Sequence, residues 1–272
     1  MTLTSQTTGD APTTWRPRMI ALDVDGTIVD YDNTMTDAVR DIVRAAADSG
    51  IHCVISTGRA VPGVMDAVEK LGFTKGLAVA SNGSVVFSYD PIEILHSVTF
   101  DAAPAVRALL EAVPDAAVAV ENLGVGYRMN KPFPDGELSG DMAHASIEEL
   151  IAEPVSRVIV RSPDSSAEEF AELAHGLGLE GTNYYVGYTA WLDLAPEGVS
   201  KAAGLEHVCA ELGVDRADVL AIGDGSNDVE MLEWAGRGVA MGHAPLHVQA
   251  VADDVTETVE NDGVVREIEK YL

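Results

Sequence analysis

The sequence predicts an α/β chain in which a mostly parallel sheet is assembled from two separated segments, with an α+β module inserted between them. Three observations lead there. Short apolar, β-branched runs alternate with amphipathic segments in residues 16–90 and again in 195–272, the texture of βαβ units. In 91–194 the texture changes to runs of strands broken by a few helices. The first two helical patterns each stop at a glycine, Gly50 and Gly72.

The elements follow in order. Met19–Val24 (MIALDV) reads as the first strand. Thr36–Ser49 carries Ala38, Ile42, Val43 and Ala46 at helical spacing. Ile51–Ser56 is the second strand, Val61–Leu71 the next helix and Leu77–Ala80 the third strand; Ser81-Asn82-Gly83 then turns the chain back through Val85–Phe87. From Pro91, strands are expected at Ala116–Glu121, Gly126–Met129, Val155–Arg161, Asn183–Gly187 and Trp191–Ala195. Helices are expected at Ala102–Ala112, Ser146–Ile151 and Ser165–Gly176, with a polar turn region at Asn130–Gly140. Tyr184, Tyr185, Tyr188 and Trp191 cluster near the end of this module. After Glu197-Gly198 come a helix Val199–Leu212, a strand Val219–Ile222 and a helix Asn227–Ala235. Gly238–Met241, a helix Pro245–Ala252, Val255-Thr256 and a final helix to Lys270 complete the core. In an open parallel sheet, ligands bind beyond the carboxyl ends of the strands, here beneath the insert. Residues 1–15 are Thr-rich, without a basic start or apolar centre, and read as a disordered tail rather than a signal peptide. A cytoplasmic location is therefore expected.

Hydrophobic residues at 47% and charged residues at 22% supply an ordinary globular core, and no apolar stretch is long enough to span a bilayer. Cys53 and Cys209 read as buried thiols. The net charge of −27 repels nucleic acid and anionic membrane surfaces, so neither is an expected partner. The same field repels a phosphorylated metabolite, so an anionic substrate requires a local cation.

Four constellations carry chemistry. Asp23-Val24-Asp25-Gly26-Thr27 follows the first strand; its carboxylates face one cleft and need a compensating cation, and oxygen donors favour Mg²⁺. Taken alone it also fits a polar Asp-Gly turn. Gly223-Asp224-Gly225-Ser226-Asn227-Asp228 follows another strand; it fits a helix cap, but with the first cluster it makes a carboxylate-rich metal site. Ser56-Thr57-Gly58-Arg59 offers a hydroxyl, a flexible glycine and a guanidinium suited to phosphate, or a turn with an exposed Arg. Lys201 stands near a helix start, the end that disfavours cations.

In this order the four sites resemble the four motifs of the haloacid-dehalogenase superfamily. Ser81-Asn82-Gly83, Gly238-Val239-Ala240-Met241-Gly242, and Val255-Thr256 followed by Asn261-Asp262-Gly263-Val264 resemble its Cof-type sugar-phosphatase branch. The resemblance runs from about Arg18 to the end. One departure is His243, where the family usually has Asn; it is expected as a loop residue, with contact to the leaving group or to an acid as the alternative.

The resemblance implies a Rossmann-like core, the insert at 91–194 as an α/β cap that closes over the site, and Mg²⁺-dependent hydrolysis of a small phosphomonoester. Asp23 would attack phosphorus and form an aspartyl-phosphate, with Asp25 as acid and then base. The Asp23 carboxylate, the Asp25 carbonyl and the Asp224 carboxylate would hold the metal, with Asp228 orienting ligands or water behind them. Thr57, the Gly58 N–H, Lys201 and Asn227 would bind phosphoryl oxygens. Relatives that cleave carbon–halogen bonds lack the second aspartate, and transport ATPases carry Thr there, so Asp25 favours a phosphatase. The alternatives are a sugar phosphomutase and a non-catalytic binding protein. Arg128, Tyr185 and Trp191 are candidate cap contacts.

Overall fold

Met19–Leu22 (β1) is apolar at four successive positions and buried at all four, the pattern of a strand covered on both faces. Ile20 and Leu22 enter one core layer, with Val39 and Val43 of α1 (Asp37–Asp48) and Val64 and Val68 of α2 (Val61–Leu71). Met19 and Ala21 enter the opposite layer, with Leu205 and Val208 of a later helix and Met231 and Leu232 of the next. The computed structural model describes residues 15–162, 172, 175, 176, 182–186 and 191–272, the side chains of 182–186 excepted.

The remaining core strands are β2 (His52–Ser56), β3 (Gly76–Ala80), β4 (Val85–Tyr89) and β5 (Glu93–Ser97). Beyond the insert come helix Lys201–Leu212, β12 (Val219–Gly223), helix Val229–Trp234, β13 (Arg237–Ala240), helix Leu246–Gln249, β14 (Asp254–Val255) and helix Gly263–Ile268. The eight-stranded order is β14-β13-β12-β1-β2-β3-β4-β5. Pairings from β14 to β3 are parallel, and β4 and β5 are antiparallel additions. The chain leaves β1 toward β2 on one side and returns through β12 on the other, which opens a crevice at the carboxyl end of β1.

The second sheet has the order β10-β11-β9-β6-β7-β8. Its strands are β6 (Ala117–Asn122), β7 (Gly126–Met129), β8 (Asp141–His144), β9 (Val158–Arg161), β10 (Thr182–Val186) and β11 (Trp191–Pro196). Val118, Val120, Val158, Val160, Leu192 and Leu194 pack on α3 (Ala103–Ala112) and α4 (Ile147–Leu150). The alternate residues Ala119, Tyr127 and Ile159 pack instead with Ala60, at the start of α2. This face therefore turns toward the first sheet.

Three expectations are corrected. Glu93–Ser97 falls in the segment read as insert, yet pairs with β4 in the first sheet. Its largely exposed edge position removes the alternation that marks a half-buried strand. Asp141–His144, not expected as a strand, is an edge strand with all four residues exposed. Trp15, counted with the tail, is seated: its Nε1–H donates to the Ala217 carbonyl at 2.9 Å and its ring meets Tyr271 edge-on. The expected helix Ser165–Gly176, Tyr188 and residues 1–14 lie largely or wholly outside the described residues. No helix among the described residues is long and apolar enough to cross a membrane.

The turn after β3 abuts the start of helix Lys201–Leu212. Gly83 has φ +102°, and a Cβ there would overlap the carbonyl oxygen of Ser200, the residue capping that helix. Gly83→Ala is expected to cost roughly 3 kcal/mol or more in urea unfolding. An unchanged midpoint would rule out the close approach.

Candidate active site

Four neighbouring strands deliver their following residues to one place. Asp224 follows β12, Asp23 follows β1, Thr57 follows β2, and Ser81 and Asn82 follow β3. Ser200 caps the next helix by accepting the Ala203 N–H at 3.3 Å, which sets Lys201 at its first position.

Lys201 is fully buried, and its Nζ donates to Asp23 Oδ1 at 2.6 Å and to Asp228 Oδ1 at 2.5 Å. The other oxygen of Asp228 accepts the backbone N–H groups of Asp224 (3.0 Å) and Gly225 (2.8 Å). Thr27 donates to Asp224 Oδ1 at 3.1 Å, and Tyr31 to Asp224 Oδ2 at 3.2 Å. Gly26, at φ +79°, leaves room for this carboxylate, because a Cβ there would run into it.

Ligand atoms of Asp23, Asp224 and Asp228 lie within 4.8 Å of one another, all three residues buried. Burial, then Asp228, pushes Asp23 well above its ordinary value of 3.8 against the pull of Lys201. Burial and Asp228 likewise raise Asp224. On Lys201, burial works downward, but Asp228 and Asp23 outweigh it and hold the ammonium above its usual range. Three carboxylates facing one ammonium leave excess negative charge in a water-poor site. An all-oxygen donor set with that excess fits a hard divalent cation.

Asp25 stands apart from the triad. Its carboxylate is half-exposed and takes a two-armed grip from Arg59, with Nε at 2.9 Å and Nη2 at 2.5 Å. Arg59 is itself tied to Asn33 and Asp66. The guanidinium, read as suited to phosphate or as exposed in a turn, is thus committed to Asp25. Asn227 donates to Asn82 Oδ1 at 2.9 Å, and a Cβ on Gly58 would sit 3.0 Å from the same oxygen. Asn82 therefore joins the second and fourth motifs. His243 is a loop residue whose Nε2 lies 3.5 Å from Asp224 Oδ2.

The second sheet adds groups the sequence reading missed. Asn82 Nδ2 donates to Asp193 at 3.0 Å, and Asp193 is gripped by Arg157 at 2.8 and 2.7 Å. Ser81 donates to Glu121 at 2.7 Å. A charged residue interrupting or ending an apolar run (AVAVE, WLDLA) was the available signal. Arg128 pairs in register with Val120, which puts it on the opposite, helix-covered face and away from this cluster. Trp191 packs edge-on against Phe133. The Tyr185 side chain lies outside the described residues.

Residues 20–268 match the family of haloacid dehalogenase-like hydrolases. The chain belongs to that family. As a haloacid dehalogenase-like hydrolase it is 31% identical over 253 residues to a phosphoglycolate phosphatase of Natronomonas pharaonis, covering 92% of this chain and 96% of the relative. It is 25% identical over 273 residues to a 5-amino-6-(5-phospho-D-ribitylamino)uracil phosphatase of Bacillus subtilis, covering 94% and 98%. Among solved structures, a phosphatase of the superfamily from Bacteroides thetaiotaomicron superposes with TM-score 0.79 at 28% identity, covering 98% of this chain and 99% of that one. The Cof-type branch expected from the finer motif spellings agrees with the matched family.

The charge excess has a measurable sign. Asp23 binds its proton more tightly folded than unfolded, so its contribution to stability is full below 3.8 and is lost as pH rises through its folded value. Without divalent cation, Asp23→Asn is expected to be more stable than wild type at pH 7 by on the order of 1–3 kcal/mol. The gap should close toward pH 4. Equal stability at pH 7 would contradict the burial of excess charge.

Proposed function

We propose that this hydrolase is a Mg²⁺-dependent phosphatase that cleaves a small phosphomonoester through an aspartyl-phosphate on Asp23. The observation that carries the reading is the Asp23 carboxylate, buried at the end of the central strand and held by Lys201 within the Asp23–Asp224–Asp228 cluster. That grip fixes one carboxylate oxygen and leaves the other for attack on phosphorus.

Asp23, Asp224 and the Asp25 backbone carbonyl are the proposed metal ligands. Bound Mg²⁺ would offset the repulsion between an anionic nucleophile and an anionic substrate. Asp228 commits one oxygen to Lys201 and the other to two backbone N–H groups, which suits it to orient its neighbours rather than to react. Lys201, Thr57, the Gly58 N–H and Asn227 are assigned to the phosphoryl oxygens, with Lys201 supplying the buried cation that an acidic molecule needs to accept an anion.

Asp25 is assigned the proton transfers: it protonates the departing alkoxide, then takes a proton from the water that opens the intermediate. Arg59 holds both of its oxygens, so a leaving group that reaches Asp25 displaces one arm of that grip. The second sheet is assigned the role of a cap. Its Glu121, Arg157 and Asp193 approach the site through Ser81 and Asn82 and would select the leaving group. Relatives named for phosphoglycolate and for a phosphorylated ribitylaminouracil set the two ends of the substrate range to test. A metabolite of the cytoplasm fits this class.

Phosphate release from a panel spanning those compounds and sugar phosphates is expected to require Mg²⁺ and to fall at least about 10³-fold in Asp23→Asn. Activity retained in that variant would remove the nucleophile assignment. Asp25→Asn is expected to cost about 10²-fold or more on alkyl phosphates and much less on p-nitrophenyl phosphate, whose leaving group needs no proton. Equal losses on both would argue against Asp25 as the acid.

A further inference from the structure

Two groups outside the chemistry assigned above converge on one oxygen of Asp224. The Tyr31 hydroxyl donates to Oδ2 at 3.2 Å, and His243 Nε2 stands 3.5 Å from the same atom. The two rings meet edge to face, with centroids 6.2 Å apart. The other histidine nitrogen is already engaged: Nδ1 accepts the backbone N–H of Val259 at 3.3 Å. A ring nitrogen that accepts carries no proton, so the ring N–H is the one on Nε2. That atom is sealed from solvent and makes no hydrogen bond among the described residues. The acceptor nearest to it is the Asp224 carboxylate, with Oδ2 3.5 Å away.

We propose that His243, through its Nε2–H, is a positioning residue that acts with Tyr31 to fix the rotation of the Asp224 carboxylate. Thr27 holds the opposite oxygen, so the three groups set the plane of the carboxylate relative to Asp23. The ring also spans from Asp224 to the backbone of Val259, which ties this metal-binding candidate to the chain segment before helix Gly263–Ile268. The role assigned to His243 rests on reading Asp224 as a metal ligand. Groups that orient a metal-binding carboxylate change affinity for the ion without touching substrate.

The test is titration calorimetry of Mg²⁺ alone into the full chain, with His243→Ala, His243→Leu and His243→Gln beside wild type. Ala and Leu are expected to weaken Mg²⁺ binding about 10-fold or more, while Gln, which keeps an N–H donor, recovers part of the loss. In turnover assays the same variants should need correspondingly more Mg²⁺, with kcat at saturating Mg²⁺ and KM for substrate changed less than about 3-fold. Unchanged Mg²⁺ affinity in Ala and Leu would overturn the role of His243 and leave the phosphatase reading standing. A wild type that binds no Mg²⁺ would overturn the metal reading and this inference with it. Imidazole ¹⁵N spectra of the wild type serve if a variant fails to fold. The His243 ring should show the Nε2–H tautomer and shift on Mg²⁺ addition; an Nδ1–H tautomer, or no shift at saturating Mg²⁺, would overturn the assignment.

Discussion

The site depends on a charge imbalance that the fold maintains at the end of its central strand. Three buried carboxylates share one buried ammonium. Removing carboxylates from water is costly, and a single Lys offsets only part of that cost. Much of the local architecture serves to hold the imbalance in place. Ser200 caps a helix whose first residue is a cation, at the end where a cation is unwelcome. Gly26 clears space for Asp224, and backbone N–H groups of the fourth motif hold Asp228. An arrangement so deficient in positive charge is organised for a ligand that brings its own.

The core was readable because its strands are buried on both faces, so they appear as unbroken apolar runs ending in polar motifs. Met19–Leu22 and Val219–Gly223 show this directly. Two edge strands, Glu93–Ser97 and Asp141–His144, were not readable, since they bury too little for a pattern to form. The motif residues could be named from their places after apolar runs and from the family resemblance, but their partners could not. Arg59 read as either a guanidinium suited to phosphate or an exposed turn residue, and it grips Asp25. Arg128 and Arg157 are both arginines of the insert; strand register sends one to the helix-covered face and leaves the other beside Asp193. Such a distinction turns on which residue pairs with which across a sheet, and a one-residue slip reverses it.

Asn82 is the junction between the two sheets. Its amide oxygen accepts from Asn227, while its amide nitrogen donates to Asp193. Both Ser81 and Asn82 adopt positive φ without being glycine, a conformation that the surrounding packing must enforce. Their side chains thereby reach the second sheet, where Glu121 accepts from Ser81 and Asp193 from Asn82. The turn is thus a structural part of the site as well as the connection between β3 and β4.

The period-two alternation of the second sheet has a consequence for how such a protein can diversify. On β6, β9 and β11, the residues that weld the sheet to its helices and those that look toward the first sheet occupy interleaved positions, as Val120 and Leu192 beside Glu121 and Asp193 illustrate. Point changes can therefore redraw the face turned toward Ser81 and Asn82 while the helix-facing stripe goes on stabilising the module. Contact with the first sheet and folding of the second are carried by different letters of the same strands, so one can drift without dragging the other.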